Sequence, residues 1–127
     1  MKIYLAASFT ERKRIRIQRE KLADLGHQVI SSWLEEPPKP AHMDIDSYER
    51  KMAVKDLQEL ATTHCFILDL KNGNATMGKM VEYGYAIATG KILYVVGIPP
   101  KHSIFTLLAD KLFRDWDEAI KYIKANH

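Results

Sequence analysis

The sequence predicts an α/β fold, a flavodoxin-like three-layer sandwich on a five-stranded parallel sheet in the order 2-1-3-4-5. Two observations predict it. Short apolar runs alternate with segments of helical spacing along the chain. The runs are apolar almost throughout rather than at every second residue, which marks strands covered on both faces. The 127 residues suit one domain spanning 1–127. A chain of about this length buries roughly two-thirds of its unfolded surface, so it needs no disulfide or metal staple.

Lys2 to Ser8 (KIYLAAS) is the first strand. Thr10 offers an N-cap for a helix through about Leu25, with Ile15, Leu22 and Leu25 at helical spacing and Gly26 as its stop. His27 to Ser31 is the second strand. Pro37, Pro38 and Pro40 exclude helix interior, so Trp33 to Ile45 reads as one exposed loop. Asp46 or Ser47 caps a helix to about Thr62, and His64 to Leu70 is the third strand. A polar turn, Lys71 to Thr76, leads to a helix over Gly78 to Thr89 that Gly90 ends. Lys91 to Gly97 is the fourth strand. After Pro99 and Pro100 comes an amphipathic stretch, Ser103 to Lys111. Leu112 to Trp116 is a short fifth strand, and Asp117 caps a last helix carrying Ala119, Ile120 and Ile123. No repeat or low-complexity segment interrupts this order.

Composition removes several function classes. The single cysteine, Cys65, sits in an apolar run and reads as a buried thiol rather than a nucleophile. No Cys/His pair has zinc spacing. The net charge of +3 is too mild, and too poor in interleaved aromatics, for a nucleic acid polymer as partner. Much of that charge lies in Arg12 to Lys21, which reads as a solvated helix face with a secondary use in attracting an anion. No apolar run approaches a membrane span or a signal peptide, so a cytoplasmic location is expected and no membrane partner.

In this fold a ligand lies beyond the carboxyl ends of the strands, near the switch point between strands one and three. That rule selects Ser8 to Arg12, Asp69 to Gly78 and Gly97 to Ser103. Glu82 stands out because it lies in the second turn of an almost wholly apolar helix, past the first turn where a carboxylate is ordinary. Gly84 and Ala86 beside it allow close approach by backbone or ligand. Asp56, in DLQEL, is a solvated helix carboxylate unless it shares a cleft with Glu82. Two carboxylates about 5 Å apart are what a retaining glycosidic mechanism requires. Asp69 ends a strand, where it contacts ligand or caps the following turn. The turn Ser8-Phe9-Thr10-Glu11-Arg12 could hand backbone N–H groups to a phosphate, although it lacks the glycine pattern of a P-loop or dinucleotide-binding turn.

Three blocks resemble the nucleoside 2-deoxyribosyltransferase family, which includes deoxynucleoside 5′-monophosphate N-glycosidases. They are Ile3-Tyr4-Leu5 with Phe9-Thr10-Glu11-Arg12, then Asp56-Leu57-Gln58, then Glu82-Tyr83-Gly84-Tyr85-Ala86 with Gly90-Lys91. The resemblance reaches to about Val96. It implies that Glu82 is the nucleophile, that Asp56 is the acid assisting the departing base, and that Tyr4 orients the nucleophile. It implies that Gly78 and Met80 touch sugar or phosphate, and it leaves Asp69 as a weaker match. Ser8, Phe9, Arg12, Lys101, His102 and Ser103 are the candidates around the substrate's 5′ end. The glycine-rich turn of the hydrolase branch is replaced here by Ala6-Ala7-Ser8-Phe9. The implied reaction is cleavage of the N-glycosidic bond of a 2-deoxyribonucleoside 5′-monophosphate through a deoxyribosyl-glutamate. The alternatives are base exchange between deoxynucleosides, a non-catalytic nucleotide-binding module, an interaction protein using the Trp33 loop, and an NAD glycosidase. No metal or organic cofactor is implied. The Gly78 to Thr89 helix is apolar on more faces than one sheet covers, so a homodimer or larger oligomer is expected through it and the Asp46 to Thr62 helix.

Overall fold

The computed structural model describes residues 1–71 and 76–127. Five strands form one all-parallel sheet: β1 (Lys2–Ala6), β2 (Gln28–Val29), β3 (Cys65–Asp69), β4 (Ile92–Val96) and β5 (Lys111–Phe113). Their order is β2-β1-β3-β4-β5, as the apolar runs predict. Every residue of β3 is buried, as befits the central strand of a sheet covered on both faces. Helices α1 (Arg12–Asp24) and α4 (Trp116–Asn126) pack together, as do α2 (Ile45–Ala61) and α3 (Met77–Ala88). Alternation along the strands sends Tyr4 and Phe66 toward α3, and Asp69 toward α1 and α4. Gly26 and Gly90 take positive φ, 89° and 69°, and stop α1 and α3 as left-handed caps. Cys65 is buried, and burial pushes its thiol up to about 12.

Several expected boundaries move. Thr10 caps nothing: Phe9–Glu11 is a 3-10 turn, and the α-helix begins only at Arg12. The cap of α2 is Asp44, whose carboxylate accepts from the Ser47 N–H (2.9 Å) and hydroxyl (2.8 Å). The cap of α4 is Asp115, accepting from the Glu118 N–H (2.9 Å), while Glu118 reaches back to the Arg114 N–H (2.7 Å). The fifth strand ends at Phe113, so Trp116 opens α4 instead of closing a strand. The Ser103–Lys111 stretch holds a 3-10 segment, Ile104–Leu108, with only Thr106 buried. Most of the Lys71–Thr76 turn lies outside the described residues.

The largest departure is the exposed loop. Ser32–Glu35 is a 3-10 turn with Trp33 and Leu34 buried, and only the proline segment after it lies at the surface. Trp33 donates its indole N–H to the Leu5 carbonyl (2.8 Å), and the Ser31 hydroxyl accepts from the Leu5 N–H (2.6 Å). The basic face of α1 explains the rest. Arg12 donates to the Glu36 carbonyl (2.9 Å), Arg16 to the Leu34 carbonyl (2.8 Å) and Arg19 to Glu35 (3.0 Å). These cations hold a neighbouring segment rather than a solvated face.

Candidate functional site

Tyr4 is fully buried and stacks on Phe66, with ring centroids 6.0 Å apart and planes 5° apart. Its hydroxyl donates to Glu82 Oε2 at 2.5 Å. Burial holds the Tyr4 phenol well above its usual range, with the nearby Glu82 and Asp56 charges adding to the effect, so it remains a donor. Glu82 itself is raised from 4.5 to about 7, first by burial and then by the charge of Asp56, against the lowering effect of the Tyr4 bond. Asp56 is raised from 3.8 to about 6, by burial and by the Glu59 and Glu36 charges, with Lys55 opposing. Lys55 is itself ion-paired to Glu36. Among the described residues neither Glu82 nor Asp56 is in a salt bridge, so the desolvation of Asp56 is offset only in part by the Lys55 charge.

The structure therefore brings Tyr4, Asp56 and Glu82 into one electrostatic group at the α2–α3 face. Sequence separations of 26 to 78 residues close through the packing of β1, α2 and α3. Glu59 belongs to the surroundings of this group: it accepts from the Ser32 N–H (3.2 Å) and raises Asp56. One residue that sequence reasoning passed over is buried on the same helix as Glu82, α3. Lys79 is only 3% exposed, and its ammonium donates to Ser8 Oγ and to the Asp69 carbonyl, both at 3.3 Å. The available signal was its place in the first turn of α3, where the helix macrodipole disfavours a cation.

Asp69 goes elsewhere. Its side chain points to the opposite face of the sheet, where Arg14 grips it through two bonds of 2.8 Å. Trp116 Nε1 donates to it at 2.7 Å and the Lys71 N–H at 3.0 Å. Burial works to raise its pKa, but these donors outweigh it and the carboxyl is lowered. An open cavity of about 740 Å³ adjoins this cluster, walled by Gln18, Ile98, Arg114 and Trp116 among others. The cavity is roomier than the carboxylate group, yet its buried acid is already neutralised by a guanidinium. By the chemistry of its groups, the Glu82 face is the better candidate site.

The other candidates are distributed. Ser8 is half-buried at the end of the first strand's run. Phe9 is exposed and carries the Arg12 guanidinium 4.1 Å over its ring, which engages both residues. Gly78 is exposed in the first turn of α3, and Met80 packs partly against the core. Nothing lies within 4 Å of a side chain built on Gly84, so the expected close approach is not seen there among the described residues. Lys101 and His102 are exposed. Ser103 makes no side-chain cap, and its segment is tied to α3 through Tyr83, whose hydroxyl donates to the Phe105 carbonyl (2.7 Å).

Comparison with known proteins bears on the family and the fold. The nucleoside 2-deoxyribosyltransferase family model matches residues 3–103. The fold is similar to a 2-deoxyribosyltransferase from Bacillus psychrosaccharolyticus, with TM-score 0.76 and 22% identity over 96% of this chain and 92% of that one. It is similar to the Clostridium botulinum CMP N-glycosidase BcmB, with TM-score 0.65 and 18% identity over 98% and 99% of the two chains. It is also similar to a conserved protein from Enterococcus faecalis V583, with TM-score 0.83 and 13% identity over 100% and 99%. No functionally curated protein matches in sequence. The family match spans well over half of the chain, so the protein belongs to the nucleoside 2-deoxyribosyltransferase family and is an enzyme of the N-glycosidase or 2-deoxyribosyltransferase type.

Proposed function

We propose that the protein cleaves the N-glycosidic bond of a 2-deoxyribonucleoside 5′-monophosphate, with Glu82 as nucleophile and Asp56 as general acid. The observation that carries this reading is the Tyr4–Glu82–Asp56 group, two half-buried carboxyls raised to about 7 and about 6, with Glu82 joined to the sheet by the 2.5 Å hydrogen bond from Tyr4. A Glu82 oxygen attacks C1′ as the C1′–N bond breaks, and the bonding pair leaves with the base. Asp56 gives its proton to the departing nitrogen. Charge builds at C1′ in an oxocarbenium-like transition state, where a desolvated carboxylate is most effective. Water then attacks C1′, Asp56 takes its proton, and the C1′–O bond to Glu82 breaks to release the sugar phosphate.

The reactive form holds one proton, on Asp56. Burial raises both carboxyls, so near neutrality the ligand-free protein holds a proton that belongs to the pair rather than to either residue. Substrate favours the reactive arrangement, because positive charge develops beside Glu82 and the base accepts from Asp56. Tyr4 supports it by donating to Glu82, which stabilises the charged form. Of the 5′-end candidates, Ser8 follows β1, the strand that carries Tyr4, and its hydroxyl accepts from Lys79. Asp69 acts in this reading as a structural anchor.

The same face has apolar surface to spare, which supports the proposal that two or more copies of the chain pair through α3 and α2. Met77 and Val81 are 86% and 61% exposed, and Val54 on α2 is 51% exposed. An apolar groove of about 560 Å³ runs between α3 and the Ile104–Leu108 segment.

Incubation with matched deoxynucleosides and their 5′-monophosphates, with and without a competing free base, tests the reaction. Free base and sugar phosphate from the monophosphate are expected. Faster reaction of the unphosphorylated compound, with sugar moved to the added base, would replace hydrolysis by base exchange. Base release from neither would remove the catalytic reading.

A further inference from the structure

We infer that Glu36 is a positioning residue for the general acid: it holds the Lys55 ammonium in an ion pair and so keeps that cation from pairing with Asp56. The inference rests on the reading of Asp56 as the acid and deepens it. It is carried by how the chain around Glu36 is tied down. Tyr48, Lys55 and Glu59 stand seven and four residues apart on α2, which places them in one stripe along the helix. All three reach the 32–37 segment. Tyr48 donates its hydroxyl to the Pro37 carbonyl (3.1 Å), Glu59 accepts from the Ser32 N–H (3.2 Å), and Lys55 pairs with Glu36. From α1, Arg12 donates to the Glu36 carbonyl (2.9 Å) and Arg16 to the Leu34 carbonyl (2.8 Å). The segment is thus a strap between the two helices, and it carries the Glu36 carboxylate to the neighbour of Asp56.

The Glu36 side chain is 10% exposed and that of Lys55 34%. The backbone of Glu36 is already ordered by Arg12, so holding its carboxylate in place costs little further entropy. Lys55 has a flexible four-carbon stem and stands next to Asp56 in the chain. Without Glu36, the nearest described carboxylate for it to pair with is Asp56, and such a pair would stabilise the charged form and remove the acid. The electrostatics of Asp56 show this balance. Burial raises its pKa first, then the Glu59 charge, while Lys55 lowers it and Glu36 raises it. From the other elements, Glu82 of α3 and Tyr4 of β1 face it. The bond to Glu36 raises the pKa of Lys55, so the lysine stays charged where the acid works. Glu36 therefore acts in one direction twice, as a negative charge near Asp56 and as the partner of the cation that opposes it.

The test follows base release against pH for the wild type, Glu36→Gln, Lys55→Met and the double variant. Carboxyl-carbon NMR titration of Asp56 in the ligand-free proteins is the second readout. The reactive form is lost when the carboxyl pair gives up its one proton, so activity falls on the alkaline side. Glu36→Gln frees Lys55 and weakens the hold of Asp56 on its proton. The alkaline limb of kcat/KM is expected to move down by about one pH unit, a loss of about tenfold at pH 8 and much less at pH 6. Lys55→Met moves the limb upward, and the double variant returns it toward the wild-type position. If Glu36→Gln does not fold, the upward shift in Lys55→Met carries the test. A strap that serves structure alone would lower stability and leave both the limb and the Asp56 titration unmoved. That result, or a double variant whose limb lies no higher than that of Glu36→Gln, would overturn the assignment. An Asp56 titration that moves as expected, without base release from any substrate by the wild type, would leave Glu36 in place and remove the reading of Asp56 as an acid instead.

Discussion

The two faces of the sheet treat a carboxylate in opposite ways. On the α1–α4 face Asp69 receives a guanidinium, an indole N–H and a backbone N–H, and its pKa falls. On the α2–α3 face Glu82 receives one phenolic hydrogen bond and a neighbouring carboxylate, and its pKa rises to about 7. The first arrangement fixes a charge and joins β3, α1 and α4. The second leaves a charge unstable until something positive forms beside it, which suits an oxocarbenium-like transition state. Packing does not follow the same division, because α3 buries Tyr83 and Ala86 and only α2 is loosely covered. Ile15 and Leu22 of α1, and Ala119 and Ile123 of α4, are fully buried, whereas α2 buries only Leu60.

The contrast is broken most sharply by removing the nucleophile. Glu82→Ala is expected to fold and to lose at least about 10³-fold in base release. Steady-state assay of purified protein, with circular dichroism as a folding control, checks it. Base release at the wild-type rate would end the mechanism.

A smaller effect appears in stability against pH. A carboxyl raised from 4.5 to about 7 binds more protons in the folded state, so its contribution is fully present below pH 4.5 and lost as pH rises through 7. Glu82→Gln is therefore expected to gain on the wild type across that interval, by on the order of 3 kcal/mol at pH 8. Urea unfolding at pH 4.5 and pH 8 measures it. A constant difference between the two pH values would show that Glu82 is not the strained acid described here.

Asp69→Asn should do the reverse. It leaves Arg14 facing a neutral amide and costs about 2–3 kcal/mol at pH 7, discounted for the partial exposure of Arg14. Base release per folded molecule should stay within about threefold. A large drop in kcat at unchanged stability would return Asp69 to the reacting site.

How far these faces could be read from sequence depended on what kind of interaction made them. Apolar runs and helical spacing gave the strand order and overlapped all five strands and all four α-helices, because burial on two faces is written in local composition. Glu82 was legible because a lone carboxylate in an apolar helix breaks its own pattern, and Asp56 and Tyr4 followed only through resemblance to a family. The Trp33 turn was not legible: three prolines suggested surface chain, but Trp33 is held by a carbonyl of β1, 28 residues away. The pairing of Arg14 with Asp69 spans 55 residues and leaves no periodic trace. The caps expected at Asp46 or Ser47 and at Asp117 lie instead at Asp44 and Asp115, since neighbouring Asp, Ser and Thr all satisfy the same rule.

The smallest effect on the folded chain concerns assembly. Val81→Glu lies on an exposed part of α3, so monomer stability should change by less than about 0.5 kcal/mol. Light scattering at micromolar concentration is expected to show a dimer or larger for the wild type and a reduced mass for the variant. A monomeric wild type would refute pairing through this face.

The central claim is that Glu82, and not the better-solvated or better-paired acids, forms a bond to the sugar. Rapid acid quench during turnover of a deoxynucleoside monophosphate, followed by peptide mass spectrometry, tests it most directly. The account predicts a deoxyribose phosphate adduct on the α3 peptide, localised to Glu82 and absent from Glu82→Ala. An adduct on Asp56 or Asp69, or active turnover with none on Glu82 at any quench time, would contradict it.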